Sequence, residues 1–179
     1  MFKLEDLKIR RKAWVKAANI NPNRLGWLLD DCTVLNPIDR KKIDVWMDAL
    51  EKGEVVRAVG NSRCGKGLLL WGEPGHGKTT IALSIIQEVM TRFPIESFDV
   101  KEGRVLIIDD LGKEHASLSG WQRSMFHHVL RTRFNNGLPT IVTTNIELEN
   151  WGSMYGDATE SFAHESFIYL PIETSDLRK

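Results

Sequence analysis

Residues Gly72–Thr79 read Gly-Glu-Pro-Gly-His-Gly-Lys-Thr, and their flanks restrict the fold more than any other stretch. Before them, Gly67-Leu68-Leu69-Leu70-Trp71 is a short apolar run of the kind that forms a buried strand. After them, Thr80-Ile81-Ala82-Leu83-Ser84-Ile85-Ile86 begins a helix whose stripe continues through Val89, Met90 and Phe93, with Pro94 as its stop. Strand, glycine-rich loop and helix together make a phosphate-binding loop. Backbone N–H groups and the helix N-terminus converge on one spot and favour an anion there. The spacing lets Lys78 reach β- and γ-phosphates and offers the Thr79 hydroxyl to Mg²⁺. The predicted nucleotide-binding set is Gly72, Glu73, Pro74, Gly75, His76, Gly77, Lys78, Thr79 and Thr80.

Strand and helix signals alternate through the rest of the chain. Asn36 as N-cap, Pro37 at the first position and Gly53 past the end delimit a helix with Ile43, Trp46, Met47 and Leu50 on one face. Residues 60–65 read as a loop. Val105-Leu106-Ile107-Ile108 is apolar without alternation, the mark of a parallel strand covered on both faces. Ser119 and Gln122 have capping-box spacing at the start of a long helix. Its predicted core face is Trp121, Met125, Phe126, Val129, Leu130 and Phe134, and Asn135-Asn136-Gly137 stops it. Thr140–Thr144 is the next strand, a short helix starts near Glu147, and Phe167–Leu170 is a last strand. This order predicts an α/β fold, a parallel sheet with helices on both faces.

Ligands of open parallel sheets bind at the carboxyl ends of strands. One strand ends in Asp109-Asp110, and the next strand tip carries Asn145. Beside a phosphate loop, Asp109 is placed to hold Mg²⁺ with Thr79, and Asp110 to orient or deprotonate an attacking water. An amide both donates and accepts, so Asn145 can hold that water and the γ-phosphate together. The predicted catalytic residues are therefore Lys78, Asp110 and Asn145, and the predicted metal ligands Thr79 and Asp109.

A chain of 179 residues with a formal net charge of zero is expected to form one core and is not a polycation built for nucleic acid. Charge is uneven along it. Lys3, Lys8, Arg10, Arg11, Lys12 and Lys16 make the first part basic, where residues 4–18 read as a helix broken by Asn21-Pro22-Asn23, whereas the last part is acidic. The expected domains are residues 1–20, a short basic N-terminal helix, and residues 21–179, the α/β core that carries the phosphate loop. No membrane span or signal peptide is expected, and Cys32 and Cys64 lack metal-ligand spacing, which fits a reducing, cytoplasmic setting. Of Trp27, Trp46, Trp71, Trp121 and Trp151, at most one is expected to stack on a base rather than pack in the core. His76, His127 and His128 are assigned no side-chain chemistry.

Three stretches resemble the DnaC/IstB family of AAA+ ATPases, which are replicative helicase loaders and transposition helpers. They are Gly65–Gly72 leading into the phosphate loop, Ile107-Ile108-Asp109-Asp110-Leu111-Gly112-Lys113-Glu114, and Leu138-Pro139-Thr140-Ile141-Val142-Thr143-Thr144-Asn145. The likeness extends back to Asn23-Arg24-Leu25-Gly26-Trp27-Leu28-Leu29-Asp30-Asp31, which in the family leads to the adenine pocket, and forward to Tyr155-Gly156-Asp157, Ser161 and Asp176-Leu177-Arg178. By this resemblance the fold is a P-loop AAA+ core of the ASCE class, Asp109 and Asp110 are the Walker B pair, and Asn145 is sensor I. It implies ATP and Mg²⁺ as cofactors. The implied partners are a replicative helicase, single-stranded DNA and further copies of the chain in an ATP-dependent oligomer.

Two departures shape the expectation. The segment between the loop helix and the Asp109 strand is short for the family, which usually inserts another strand and helix there. Where the family carries arginines after Tyr155-Gly156-Asp157, this chain has Ala158 and Phe162. Arginine fingers accelerate hydrolysis by orders of magnitude, so a weak ATPase is predicted unless Arg131, Arg133 or Arg178 substitutes. The competing readings are a transposition helper on duplex DNA with a transposase, an ATP-binding switch with negligible hydrolysis, and a small-molecule kinase.

Overall fold

The computed structural model describes residue 20 and residues 22–52, 65–92, 105–112 and 119–173. The predicted basic helix, Gly53, the 60–64 loop, Cys64, Pro94, Lys113, Glu114 and Arg178 lie outside the described residues. The described elements are α1 (Pro37–Glu51), β1 (Gly67–Trp71), α2 (Lys78–Arg92), β2 (Leu106–Leu111), α3 (Gly120–Asn135), β3 (Thr140–Thr144), α4 (Trp151–Tyr155), α5 (Asp157–Ser166) and β4 (Phe167–Pro171). Short 3₁₀ turns form at Pro22–Arg24, Leu29–Asp31 and Leu148–Asn150.

All described pairings are parallel, in the order β2-β3-β1-β4. The strand carrying the aspartates is therefore separated from the phosphate-loop strand by β3, whose tip carries Asn145. Side chains alternate faces along a strand, and that alternation divides the core. Leu68 and Leu70 of β1 and Ile141 of β3 pack with α1 and α2, against Ile43, Trp46, Met47, Ile81, Ile85 and Val89. Leu69 and Val142 pack on the opposite face with Leu130, Phe134, Trp151, Phe162 and Ala163. Each such side chain, fully buried, contributes about 1.5–3 kcal/mol before entropy is counted.

The helix ends follow local chemistry. Asn36 Oδ1 accepts from the Asp39 amide at 2.9 Å, and Pro37 occupies the first turn, where its missing N–H costs nothing. Ser119 and Gln122 form the reciprocal capping box. At the other end of α3, Asn136 is the C-cap and Gly137 follows at φ +68°.

Three sequence expectations need correction. β2 is half-buried rather than covered on both faces, because it is the edge of the described sheet and pairs on one side with β3. It ends at Leu111, one residue past the predicted Asp109-Asp110. On α3 only Leu130 and Phe134 are buried, while Trp121 is 70% exposed and Met125 is exposed too. The apolar stripe is continuous in sequence, but only the C-terminal half of the helix lies over the sheet. The helical region after Glu147 comprises a 3₁₀ turn and two helices, longer than the short helix expected. Of the tryptophans, Trp46 and Trp151 are core residues and Trp27 and Trp121 are exposed. Among the described residues no helix is long and apolar enough to cross a membrane.

Candidate nucleotide site

The carboxyl ends of β1, β2 and β3 surround a cavity of about 520 Å³, of the size that takes a nucleotide. Pro74, Gly75, Gly77, Lys78, Thr79 and Thr80 line it from the loop and the first turn of α2. Asp109 and Asp110 line it from β2, Asn145 from beyond β3, and Arg24 from the segment ahead of α1. The loop turns on Gly75 and Gly77 at φ +92° and +81°, a region that a Cβ disfavours. It delivers the N-terminus of the fifteen-residue α2 to the cavity, where unpaired amides and the helix dipole favour anions.

Three residues of the predicted loop set do not line the cavity. Gly72 and Glu73 turn their carbonyl oxygens to the Lys78 ammonium, at 2.7 and 2.9 Å. His76 Nδ1 meets the Ile172 carbonyl at 2.9 Å and so ties the loop to the end of β4. Lys78 is buried, and its Nζ also donates to Asn145 Oδ1 at 2.6 Å. An ammonium only donates, so the amide oxygen of Asn145 must be the atom that faces it. Loop lysine and strand-tip amide are thus in direct contact.

Thr79 Oγ1 donates to Asp109 Oδ1 at 2.9 Å. Two hard oxygen donors, one an exposed carboxylate and one the first-turn hydroxyl of the loop helix, suit Mg²⁺, which prefers such donors and keeps several waters. Among the described residues no group of three or more His, Cys, Asp or Glu residues is placed to hold a metal. Any Mg²⁺ here would therefore draw on water and phosphate oxygens for its remaining ligands.

Consecutive strand residues normally face opposite sides, yet Asp109 and Asp110 both line the cavity. The backbone explains this. Asp110 sits at φ +57°, among the described residues the one non-glycine residue with positive φ, and the β2–β3 register shifts between Ile108 and Leu111. The irregularity turns the second acid toward the first, and Asp is among the residues that tolerate this region. Thr143 holds the bend. Its buried Oγ1 donates to Asp109 Oδ1 at 2.6 Å and accepts from the Asp110 amide at 2.8 Å. Sequence reasoning passed over Thr143 because it lies inside a strand, though it stands in the Thr-Thr-Asn run.

Neither described candidate for a substitute arginine finger is free. Arg133 donates through Nε to Thr140 Oγ1 at 3.1 Å and through a terminal nitrogen to the Pro139 carbonyl at 3.2 Å, at the amino end of β3, away from the cavity. Burial pushes its pKa down, the direction that accompanies a desolvated guanidinium. Arg131 lies 5.6 Å over the Phe162 ring, a cation–π distance. Phe162 itself is buried and packs edge-on against Phe134. At a position where the resemblance places an arginine, this chain has a core residue with an arginine stacked on it.

Comparison with known proteins agrees with this geometry. Residues 91–164 match the family model described as IstB-like ATP binding protein. The crystal structure of the DnaC helicase loader is similar with a TM-score of 0.58 at 25% identity, over 86% of this chain and 100% of its own. Both likenesses are to DnaC/IstB-type AAA+ proteins. The DnaI structure is similar in fold, with a TM-score of 0.61 at 19% identity over 89% of this chain and 94% of its own. AMPPCP-bound DnaA from Aquifex aeolicus has a TM-score of 0.55 at 19% identity over 88% of this chain and 53% of its own. No curated protein sequence matches the chain. The α/β P-loop fold with a parallel sheet between helices is the one predicted.

Proposed function

We propose that this chain is a DnaC/IstB-type, Mg²⁺-dependent ATPase of low turnover that loads or remodels a replicative helicase on single-stranded DNA. One observation carries the nucleotide part. Lys78, Thr79, Asp109, Asp110 and Asn145 come from three separate stretches of chain and line one cavity at the carboxyl ends of three adjacent strands. Lys78 and the loop amides bind the triphosphate, and Thr79 with Asp109 would hold Mg²⁺, which supplies charge neutralisation at the phosphates. Asp110 orients the attacking water and accepts its proton. Asn145, already on the Lys78 ammonium, shares a partner with the γ-phosphate and so can report its loss.

The similarity to the DnaC helicase loader supports the helicase as partner. Low turnover is supported by Ala158 and Phe162 and by the engagement of Arg131 and Arg133. The test is hydrolysis measured against protein concentration, alone and with a replicative helicase and single-stranded DNA. Slow hydrolysis independent of concentration, lost in Asp110→Asn, is expected. Strong concentration-dependent stimulation that Arg131→Ala or Arg133→Ala abolishes would overturn the low-turnover reading. The match to an IstB-like model favours one second reading, a transposition helper. ATP-dependent assembly on duplex DNA but not on single strands would select it.

A further inference from the structure

We infer that Arg24 is a phosphate-binding residue of the nucleotide site, supplied in cis by the segment ahead of α1. The inference rests on the nucleotide reading of the cavity and adds a residue to it. The resemblance sends this segment toward adenine, yet the structure places Arg24 in the lining of the same cavity as Gly77, Lys78 and Thr79.

The segment is fastened to the phosphate-loop helix by several polar side chains. Gln87 of α2 is completely buried, an uncommon place for an amide. Its Oε1 accepts from the Gly26 amide at 2.5 Å, and its Nε2 donates to the Arg24 carbonyl at 3.0 Å. One helical position on, Glu88 accepts from the Leu29 amide at 3.2 Å, and one turn back Ser84 Oγ meets Cys32 Sγ at 3.3 Å. Buried polar contacts of this kind fix position, because a slip leaves the amide unpaired at a cost of about 1–3 kcal/mol. The helix that presents Lys78 therefore also sets where Arg24 stands, and Gln87 is its positioning residue.

Charge gives the reason for a cation there. The described lining holds two aspartates against one lysine, so without Arg24 it would be net negative before a triphosphate entered. A guanidinium restores neutrality and matches phosphate geometry with a planar fork of donors. The arginines that the resemblance would bring from positions 158 and 162 are missing. Arg24 is exposed, and among the described residues no ion pair to its guanidinium is found.

The experiment is a titration of the full chain with ATP, ADP and adenosine in the presence of Mg²⁺, using wild type, Arg24→Ala, Arg24→Lys and Lys78→Ala. Arg24→Ala is expected to weaken ATP and ADP binding about tenfold, the size of one lost charge-assisted hydrogen bond. Arg24→Lys should recover most of that, adenosine binding should not change, and melting without nucleotide should match wild type. Unchanged ATP affinity in Arg24→Ala would overturn the inference, as would an equal loss for adenosine, which would mean a base contact. If wild type binds no ATP, or Lys78→Ala binds it as well as wild type does, the nucleotide reading itself fails, a result distinct from either.

Discussion

At Thr143 a single hydroxyl, shut off from solvent, donates to the Asp109 carboxylate while it accepts from the Asp110 amide. It contacts neither phosphate nor water in the proposed reaction, yet it holds both acids on one side of a bent strand. Thr143→Val keeps the volume and removes both bonds. Hydrolysis should then fall by about tenfold to hundredfold, the usual cost of losing an outer-shell partner, while ATP affinity stays near wild type. Thr143→Ser should retain most activity. Loss of ATP binding in the valine variant would instead mean that the strand had unfolded locally. Much of the site at this scale is legible in the sequence, because Lys78 and Thr79 open a helix while Asp109 and Asn145 lie near the carboxyl ends of strands, and such positions carry local signals. The bend at Asp110, the Gln87 clamp and the cavity-facing Arg24 depend on residues roughly 30 to 60 positions apart meeting in space. No local pattern announces such pairs.

The elements depend on close approach where β1 is flanked by its two neighbours. Gly67 pairs with Phe167 of β4, and a Cβ built on it would meet the Phe167 ring at 2.8 Å and, closer still, the Thr140 carbonyl oxygen. Gly67→Ala forces β3 or β4 to shift and should destabilise the protein by about 1–3 kcal/mol, the range for overpacking, read as a lower urea midpoint at unchanged slope. A second packed ring on β4 gives a pH signature. Tyr169 stacks on Trp71, with centroids 6.2 Å apart. Burial first, then Glu149, Glu147 and Glu173, push its phenol from 10.0 up to about 12. The folded state thus keeps this proton when the unfolded chain has released it. The associated stability is full below pH 10.0 and is lost as pH climbs toward about 12. Phenolate absorbance in a Tyr155→Phe background, which leaves one of the two tyrosines, should show the late titration; ionisation at the ordinary value would contradict it. Element type and order are readable from apolar runs and caps. The edge position of β2 and the exposed half of α3 are not, since apolar periodicity specifies a face but not what comes to cover it.

Taken whole, the molecule is two half-cores joined by one sheet, and the nucleotide cavity touches both. Helix α2, whose Gln87 holds the Arg24 carbonyl, belongs to the half packed with α1. Leu111, directly after the two acids, belongs to the other half, with α3, α4 and α5. A ligand that bonds the loop, both acids, Asn145 and the 22–32 segment together would be expelled by the loosening of any of them, so its binding free energy should appear as stability of the whole described fold. At one hundred times its Kd, a ligand specific to the folded state adds about 2.7 kcal/mol. For a chain of this size, that corresponds to a rise in melting temperature of roughly 5–10 °C. MgATP should produce a single cooperative transition shifted by this amount, and Lys78→Ala should abolish the shift. Arg24→Ala should halve it at the same ATP concentration, because about tenfold weaker binding removes close to 1.4 kcal/mol of the linkage. Two separate transitions with MgATP, only one of them shifted, would show that the cavity does not couple the halves and that the sheet alone does.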